Sequence, residues 1–161
     1  PAVNWVDATL ARFILNALTD TLVMVILFAA IILFTDDRTL LNLPTITLAI
    51  ALGAALGLGI GVFNCALFGL FSAWMQIWGI ITRPLFLASG IFFIYDDLPK
   101  AVQDILWYNP LMQVVGVMRQ GFYPTYKGEY ISLVFILGIA LTFLFLGVLL
   151  LGRYHRDILN D

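Results

Sequence analysis

Long apolar stretches, separated by short polar ones, run along most of the chain. At a rise of 1.5 Å per residue, the stretches 13–34, 45–68, 74–95 and 131–152 are each long enough to cross a hydrocarbon core of about 30 Å. The alternating polarity over roughly 10 residues that marks the strands of a membrane β-barrel is not found. The pattern therefore predicts an all-α polytopic membrane protein, with four transmembrane helices in a single transmembrane domain, residues 1–161.

The region between the third and fourth predicted spans is too long for a turn and too broken for a span. We predict two short helices there, over 98–107 and 110–120. An acidic or amide side chain followed by proline starts each one, because the side chain caps the first turn and proline fits inside it. These signals are Asp96 or Asp97 with Pro99, Asn109 with Pro110, and Gly121 as a C-terminal stop. Neither helix can cross the membrane alone, so the pair lies at the surface or dips in as a re-entrant hairpin.

Composition and charge narrow the function. Of the 161 residues 62% are hydrophobic and 11% are charged, whereas soluble domains average about 25% charged residues. The net charge of −2, without a basic patch, argues against a nucleic-acid partner. Single Cys65 and single His155 leave no internal disulfide and argue against a metal site. Phosphate-binding glycine loops and HExxH or GxSxG motifs are missing, so we expect neither an enzyme nor a bound cofactor.

Arg83 and Pro84 lie near the middle of the third predicted span. Proline removes a backbone hydrogen bond and clashes with the preceding turn, so we expect a kink. An arginine at this depth costs at least about 2.5–3.5 kcal/mol on insertion scales, so it should face protein or water. Two interpretations stay open: a structural pairing, with Asp20 or with carbonyls freed by Pro84, and a positive lining for an anionic cargo.

Small residues recur every four positions in the second predicted span, at Ala49, Gly53, Gly57 and Gly61. They share one helix face, a pattern that lets membrane helices approach closely. We interpret them as packing positions, and we interpret Gly90, at the end of the third span, as structural too.

Aromatic side chains are concentrated around the two short predicted helices. They are Trp107, Tyr108, Phe122, Tyr123, Tyr126 and Tyr130. An interfacial aromatic belt explains such a cluster. The alternative is a stacking surface for sugar rings, with Arg119 nearby for acidic or phosphate groups.

The N-terminal residues 1–12 are amphipathic and contain Trp5, which suits a membrane interface. They form either a short helix that lies on the membrane and touches a partner, or the flank of the first span. Positive charge does not decide the orientation of the chain. Arg12, Arg153 and Arg156 on one side are balanced on the other by Arg38, Lys100, Arg119 and Lys127.

Four segments, in their order and spacing, carry a resemblance to a known family. They are RPLFLASGIFF, DDLP, WYNPLMQVVGVMRQGFYPTY and a last span that ends in LGRYHRDILND. Together they resemble ABC-2 type permeases that export capsular polysaccharide, the membrane subunits of bacterial group 2 capsule exporters. The resemblance covers essentially the whole chain.

The resemblance implies a six-helix permease of the bacterial inner membrane, of which this chain is the C-terminal part. Two spans would then be missing before Pro1. Such permeases work as homodimers with a cytoplasmic ATP-binding subunit that holds ATP and magnesium. Their cargo is a lipid-linked, often acidic, polysaccharide, passed on to periplasmic and outer-membrane export proteins. Both chain ends would be cytoplasmic, and the helix pair over 98–120 would be re-entrant at the periplasmic mouth.

The resemblance also suggests roles for residues. The expected lining of the transport path is Arg83, Trp107, Tyr108, Arg119, Phe122, Tyr123 and Tyr126. The expected contacts with the ATP-binding subunit are Trp5, Asp7 and Arg12, and the expected structural positions include Pro84, Asn109 and Pro110. The alternatives are an exporter of another cargo, such as O-antigen, teichoic acid or a drug, and a membrane scaffold that transports nothing.

Overall fold

The computed structural model describes residues 5–34, 41–123 and 125–158, and every regular element in these ranges is helical. This confirms the all-α prediction. The helices are α1 (Trp5–Phe34), α2 (Leu43–Leu70), α3 (Trp74–Leu87), α4 (Lys100–Leu106), α5 (Pro110–Phe122) and α6 (Leu133–Ile158), with a 3-10 turn at Tyr95–Asp97.

Among the described residues, three helices have the length and composition to cross a membrane. They are Thr9–Ala30 within α1, the whole of α2, and Leu133–Tyr154 within α6. The chain divides into two compact units, Pro1–Leu40 and Leu41–Asp161.

The first unit contains α1, a continuous helix of 30 residues. Residues 5–12 continue the helix of the first predicted span, so they form its flank and not a separate surface helix. The apolar side chains of α1 are exposed along its length, among them Leu15, Leu18 and Leu22.

The second unit is built on α2 and α6, which form its largest helix interface. Two glycines allow close contact. A Cβ at Gly59 would lie 2.3 Å from the carbonyl oxygen of Ala140, and one at Gly147 would lie 2.6 Å from the backbone nitrogen of Phe63. Because residue numbers rise together along both helices, α2 and α6 run parallel.

The predicted small-residue face is only partly correct. A Cβ placed at Gly53 would lie 3.6 Å from Cγ1 of Val114 on α5, which is an ordinary contact. A Cβ placed at Gly57 or Gly61 would have nothing within 4 Å. A spacing of four residues drifts by about 40° per step around a helix, so the face rotates away from its partner. Gly59, which is outside that series, is the glycine against α6.

Parallel packing of α2 and α6 requires the chain to return between them. The return is not the single helix predicted over 74–95, because α3 has 14 residues and ends at Leu87. At 1.5 Å per residue it is about 21 Å long, less than a hydrocarbon core. Residues 88–94 continue without regular helix. Pro84 lies in the last turn of α3, shortly before the helix ends.

The two short helices, α4 and α5, form where we predicted a helix pair, but two end signals act differently. Asp96 and Asp97 lie in the 3-10 turn, and α4 begins after Pro99 without a side-chain cap. Gly121 does not stop α5, which runs to Phe122. Gly121 is instead buried against Ile46, and its carbonyl accepts a hydrogen bond from the Asn42 amide at 2.9 Å.

Candidate functional site

The end of α3 meets the α4–α5 hairpin at a polar site that we call the α3–α5 junction. It comprises residues 85–93 with Asn109, Met112 and Arg119. Backbone that leaves a helix inside a membrane protein must find hydrogen-bond partners in the protein, since hydrocarbon offers none. At this junction side chains of α5 and its cap supply them.

The Asn109 side chain caps the N-terminus of α5 and also donates hydrogen bonds to carbonyl groups at the end of α3. Its Oδ1 accepts a hydrogen bond from the Leu111 amide at 3.0 Å, as an N-cap does. Its Nδ2 donates to the carbonyl oxygens of Ala88 at 2.9 Å and Leu85 at 3.3 Å. The Leu85 carbonyl belongs to the last turn of α3 and the Ala88 carbonyl to the residue after it, where intrahelical donors run out. Asn109 is buried, so the amide group has little contact with solvent.

Arg119, in the last turn of α5, holds the non-helical segment that follows α3. Its Nη1 donates to the carbonyl oxygen of Phe93 at 2.9 Å, and its Nη2 donates to that of Gly90. Hydrogen bonds from a charged donor are stronger than neutral ones. The geometry therefore gives Arg119 a structural contact, while its predicted contact with an acidic cargo stays a prediction.

Gly90 lets the chain turn at the junction. Its φ of 80° lies in the left-handed region that side chains other than glycine rarely adopt. A Cβ at this position would also lie 2.2 Å from the sulfur of Met112 on α5. The backbone turn therefore favours glycine here, and the Met112 side chain would have to move to admit any other residue.

A second set of contacts ties the α4–α5 hairpin to the start of α6. Gln113 is fully buried, donates through Nε2 to the Trp107 carbonyl at 2.8 Å, and accepts from the Ser132 amide at 3.0 Å. The indole Nε1 of Trp107 donates to the Tyr130 carbonyl at 3.0 Å. Gln113 was not predicted, although a lone amide within an apolar helical stripe is the signal that would have found it.

Three tyrosines pack beside these contacts. The Tyr95 and Tyr130 rings stack with centroids 3.9 Å apart, and the hydroxyl groups of Tyr126 and Tyr130 are 2.9 Å apart. The pKa of Tyr130 is raised above its ordinary value, mainly by burial and secondly by the hydrogen bond with Tyr126. Gly116 makes room for this ring, since a Cβ there would lie 2.4 Å from the Tyr130 hydroxyl oxygen.

The aromatic residues predicted for the path differ in their exposure, and their role in a path stays a prediction. The Trp107 ring contacts the Tyr108 ring edge-on, with centroids 5.3 Å apart, and the Phe135 ring, with centroids 4.8 Å apart. Tyr126 contacts Tyr130 through their hydroxyl groups. Tyr108 and Tyr123, in contrast, are 70% and 60% exposed, and Phe122 is half-buried. The cluster therefore has an inner part that holds the hairpin and an outer part that faces the surroundings.

Arg83 has a different environment from Arg119. It is exposed on α3, and it forms no hydrogen bond or ion pair with another residue of the described parts of 41–158. The carbonyls at the end of α3 are bonded by Asn109 and not by Arg83. Within the described parts of 41–158, Arg83 therefore does not bond the carbonyls freed by Pro84, while the pairing that we considered with Asp20 stays a prediction.

The residues predicted to contact an ATP-binding subunit lie in the first turns of α1. Asp7 and Arg12 are exposed. The side chain of Trp5 is outside the described part of the structure.

The sequence profile of a protein family described as ABC-2 type transporter matches residues 1–123. The chain belongs to the ABC-2 type transporter family. The matched part of this ABC-2 chain runs from α1 to the end of α5 and contains the whole α3–α5 junction.

Curated relatives extend the similarity to α6. The chain is 28% identical to a polysialic acid transport protein, KpsM of Escherichia coli, over 99% of its own length and 62% of the relative's. It is 24% identical to a capsule polysaccharide export inner-membrane protein, CtrC of Neisseria meningitidis serogroup B, and 22% identical to one from Haemophilus influenzae, BexB, in each case over 97% of this chain and 59% of the relative. The ABC-2 chain thus spans about three fifths of the length of these relatives.

Proposed function

We propose that this ABC-2 chain is part of the permease subunit of an ATP-driven exporter that moves capsular polysaccharide across the bacterial inner membrane. The observation that carries the proposal is similarity over nearly the whole chain to proteins named for capsule polysaccharide export at the inner membrane and for polysialic acid transport. The family match and the three membrane-length helices support it.

The chemistry of the two arginines supports an acidic cargo. Arg119 already donates to backbone carbonyls, whereas Arg83 is exposed and unpaired within the described parts of 41–158. A guanidinium group binds carboxylates and phosphates through paired N–H donors. Arg83 is therefore the residue that we assign to contact with acidic groups of a lipid-linked polysaccharide.

The energy would come from a separate cytoplasmic ATP-binding subunit, which holds ATP and magnesium. Two copies of the permease subunit would form the path, with the start of α1, including Asp7 and Arg12, as the contact with the ATP-binding subunit. Periplasmic and outer-membrane proteins would receive the polymer. The permease itself would catalyse no covalent step.

The test is export of the polymer by the complete permease with its ATP-binding partner in reconstituted vesicles. Replacement of Arg83 by glutamate should abolish ATP-dependent transfer of an acidic lipid-linked polysaccharide, while membrane insertion and binding of the partner remain. Arg83→Lys, which keeps the charge, should retain most of the transfer. If wild-type complexes move other cargos but no polysaccharide, or if cargo never changes ATP hydrolysis, the proposed function is wrong.

A further inference from the structure

One face of α3 carries polar groups that the rest of the second unit does not use. Gln76 and Arg83 are seven residues apart, so at 100° per residue they lie within about 20° of each other around the helix and about 10 Å apart along it. Both are exposed. Within the described parts of 41–158, neither side chain forms a hydrogen bond or an ion pair.

This face points away from the side of α3 that packs on its own chain. The half-buried side includes Trp74, whose indole nitrogen donates to Asn64 of α2 at 2.9 Å, together with Trp78 and Leu85. Their positions are roughly opposite Gln76 and Arg83 around the helix. Thr82, which is the other polar residue here, donates its hydroxyl hydrogen bond to the Trp78 carbonyl of its own helix.

The surface between the two polar groups is recessed. Gly79 lies between Gln76 and Arg83 along the helix, and nothing is within 4 Å of the position that a Cβ would take there. Ile80, on the same face, is 70% exposed. Along the helix, the face thus presents the Gln76 amide, then a shallow notch at Gly79 beside Ile80, and then the Arg83 guanidinium group.

Lipid is a poor occupant for this face, because an arginine in hydrocarbon costs at least about 2.5–3.5 kcal/mol. The Arg83 guanidinium group binds a negatively charged group most favourably, and the Gln76 amide forms hydrogen bonds with a hydroxyl or another amide. A polymer of sugars that carries carboxylates presents both at intervals along its length.

We propose that Gln76, Gly79 and Arg83 form a two-point binding site for an acidic polysaccharide on the outward face of α3. Arg83 binds a carboxylate, and Gln76 binds hydroxyl groups two helical turns away, with the chain lying across the Gly79 notch. The site rests on the proposed function, and it adds Gln76 as a residue that positions the cargo.

The test uses thiol labelling in the complete permease with its ATP-binding partner in membranes. Cys65 is the single cysteine of the sequence, so Cys65→Ser gives a background without thiols in this part of the protein. Gln76→Cys and Arg83→Cys are compared with Ile77→Cys, which is exposed on the flank of the same helix. The probes are two water-soluble methanethiosulfonates, one with an anionic sulfonate and one with a cationic trimethylammonium group.

We expect both reagents to label positions 76 and 83 much faster than position 77, because a polymer path contains water and the flank faces lipid. At position 76 the anionic reagent should gain over the cationic one by about fivefold while Arg83 is present, and Arg83→Gln should remove the gain. Added acidic polysaccharide should slow the labelling of position 76. Labelling as slow as at position 77 would overturn the proposal.

Two further measurements test whether a second subunit covers this face, and whether a failure concerns the site alone or the proposed function. Spontaneous cross-linking between two copies of the Gln76→Cys variant would assign this face to contact between subunits, which contradicts the site. Gln76→Leu should lower the rate of polysaccharide export by about 2- to 10-fold, the value of one hydrogen bond. Normal export by this variant refutes the site but leaves the function standing, whereas a wild-type complex that exports no polysaccharide refutes the function itself.

Discussion

The α3–α5 junction and the outward face of α3 are neighbouring regions of one apolar protein, and each contains an arginine. At the junction, Arg119 is half-buried and donates to the Gly90 and Phe93 carbonyls, next to an asparagine that bonds two more. On the outward face, Arg83 and Gln76 are exposed and form no such bonds within the described parts of 41–158.

The difference teaches that an arginine within an apolar segment is not a functional signal by itself. Arg119 replaces the hydrogen bonds that a broken helix has lost, so its charge serves the fold. Arg83 is close to the end of the same helix, yet the Leu85 and Ala88 carbonyls there are bonded by Asn109 and not by Arg83. Arg83, which has no partner within the described parts of 41–158, is therefore the better candidate for contact with cargo.

The largest effect should follow from Arg119→Leu. Two carbonyls in a water-poor region would lose their donors, at about 1–3 kcal/mol each, so we expect a loss of roughly 2–6 kcal/mol in stability. SDS-induced unfolding in mixed micelles, followed by circular dichroism, measures the change. Lys127→Leu is the matched control, because it removes an exposed cation nearby. Equal stability of the two variants would contradict the structural role of Arg119.

Asn109→Ser should have the next largest effect. Serine keeps an N-cap oxygen for α5 but has no amide to donate to Leu85 and Ala88. We expect a loss of about 1–3 kcal/mol, measured by the same unfolding experiment. Asn109→Ala should cost about 1 kcal/mol more, since it also removes the cap. If both variants are as stable as the wild type, the bridge from α5 to α3 contributes nothing.

Gly90→Ala should destabilise the protein by about 1–2 kcal/mol, because a residue with a Cβ is strained at a φ of 80°. Some further cost depends on how far the Met112 side chain can move. Gly79→Ala is the control, since this glycine is helical and a Cβ there meets open space. Alanine favours a helix over glycine, so the control should be neutral or slightly more stable in the same unfolding experiment. A Gly90→Ala variant as stable as the control would argue against the turn.

Arg83→Gln should have the smallest effect on stability, within about 0.5 kcal/mol, as for exposed positions without specific contacts. Its effect should appear in transport, as a loss of export of acidic polysaccharide at unchanged protein level. Surface polysaccharide and unfolding are measured on the same variant. A large loss of stability would show that Arg83 has a structural partner, and the contrast with Arg119 would then disappear.

Much of the fold could be predicted from the sequence because membrane helices are decided locally. Length and apolar composition alone indicate α1, α2 and α6, and the Asn109-Pro110 pair marks the start of α5. The family resemblance likewise depends on short segments in order. These features need no knowledge of distant contacts.

The tertiary structure alone decided where α3 ends, which glycines are packed and which arginine is bound. Residues 74–95 are apolar throughout most of their length, but the helix stops at Leu87, and Asn109 and Arg119 bond the carbonyls of the segment that follows. In the same way Gly59 and not Gly57 meets α6, owing to the rotation of side-chain positions around α2. Partners that are 20 or more residues away in sequence leave no local pattern, so only the packed chain reveals which polar groups are satisfied and which remain available to a ligand.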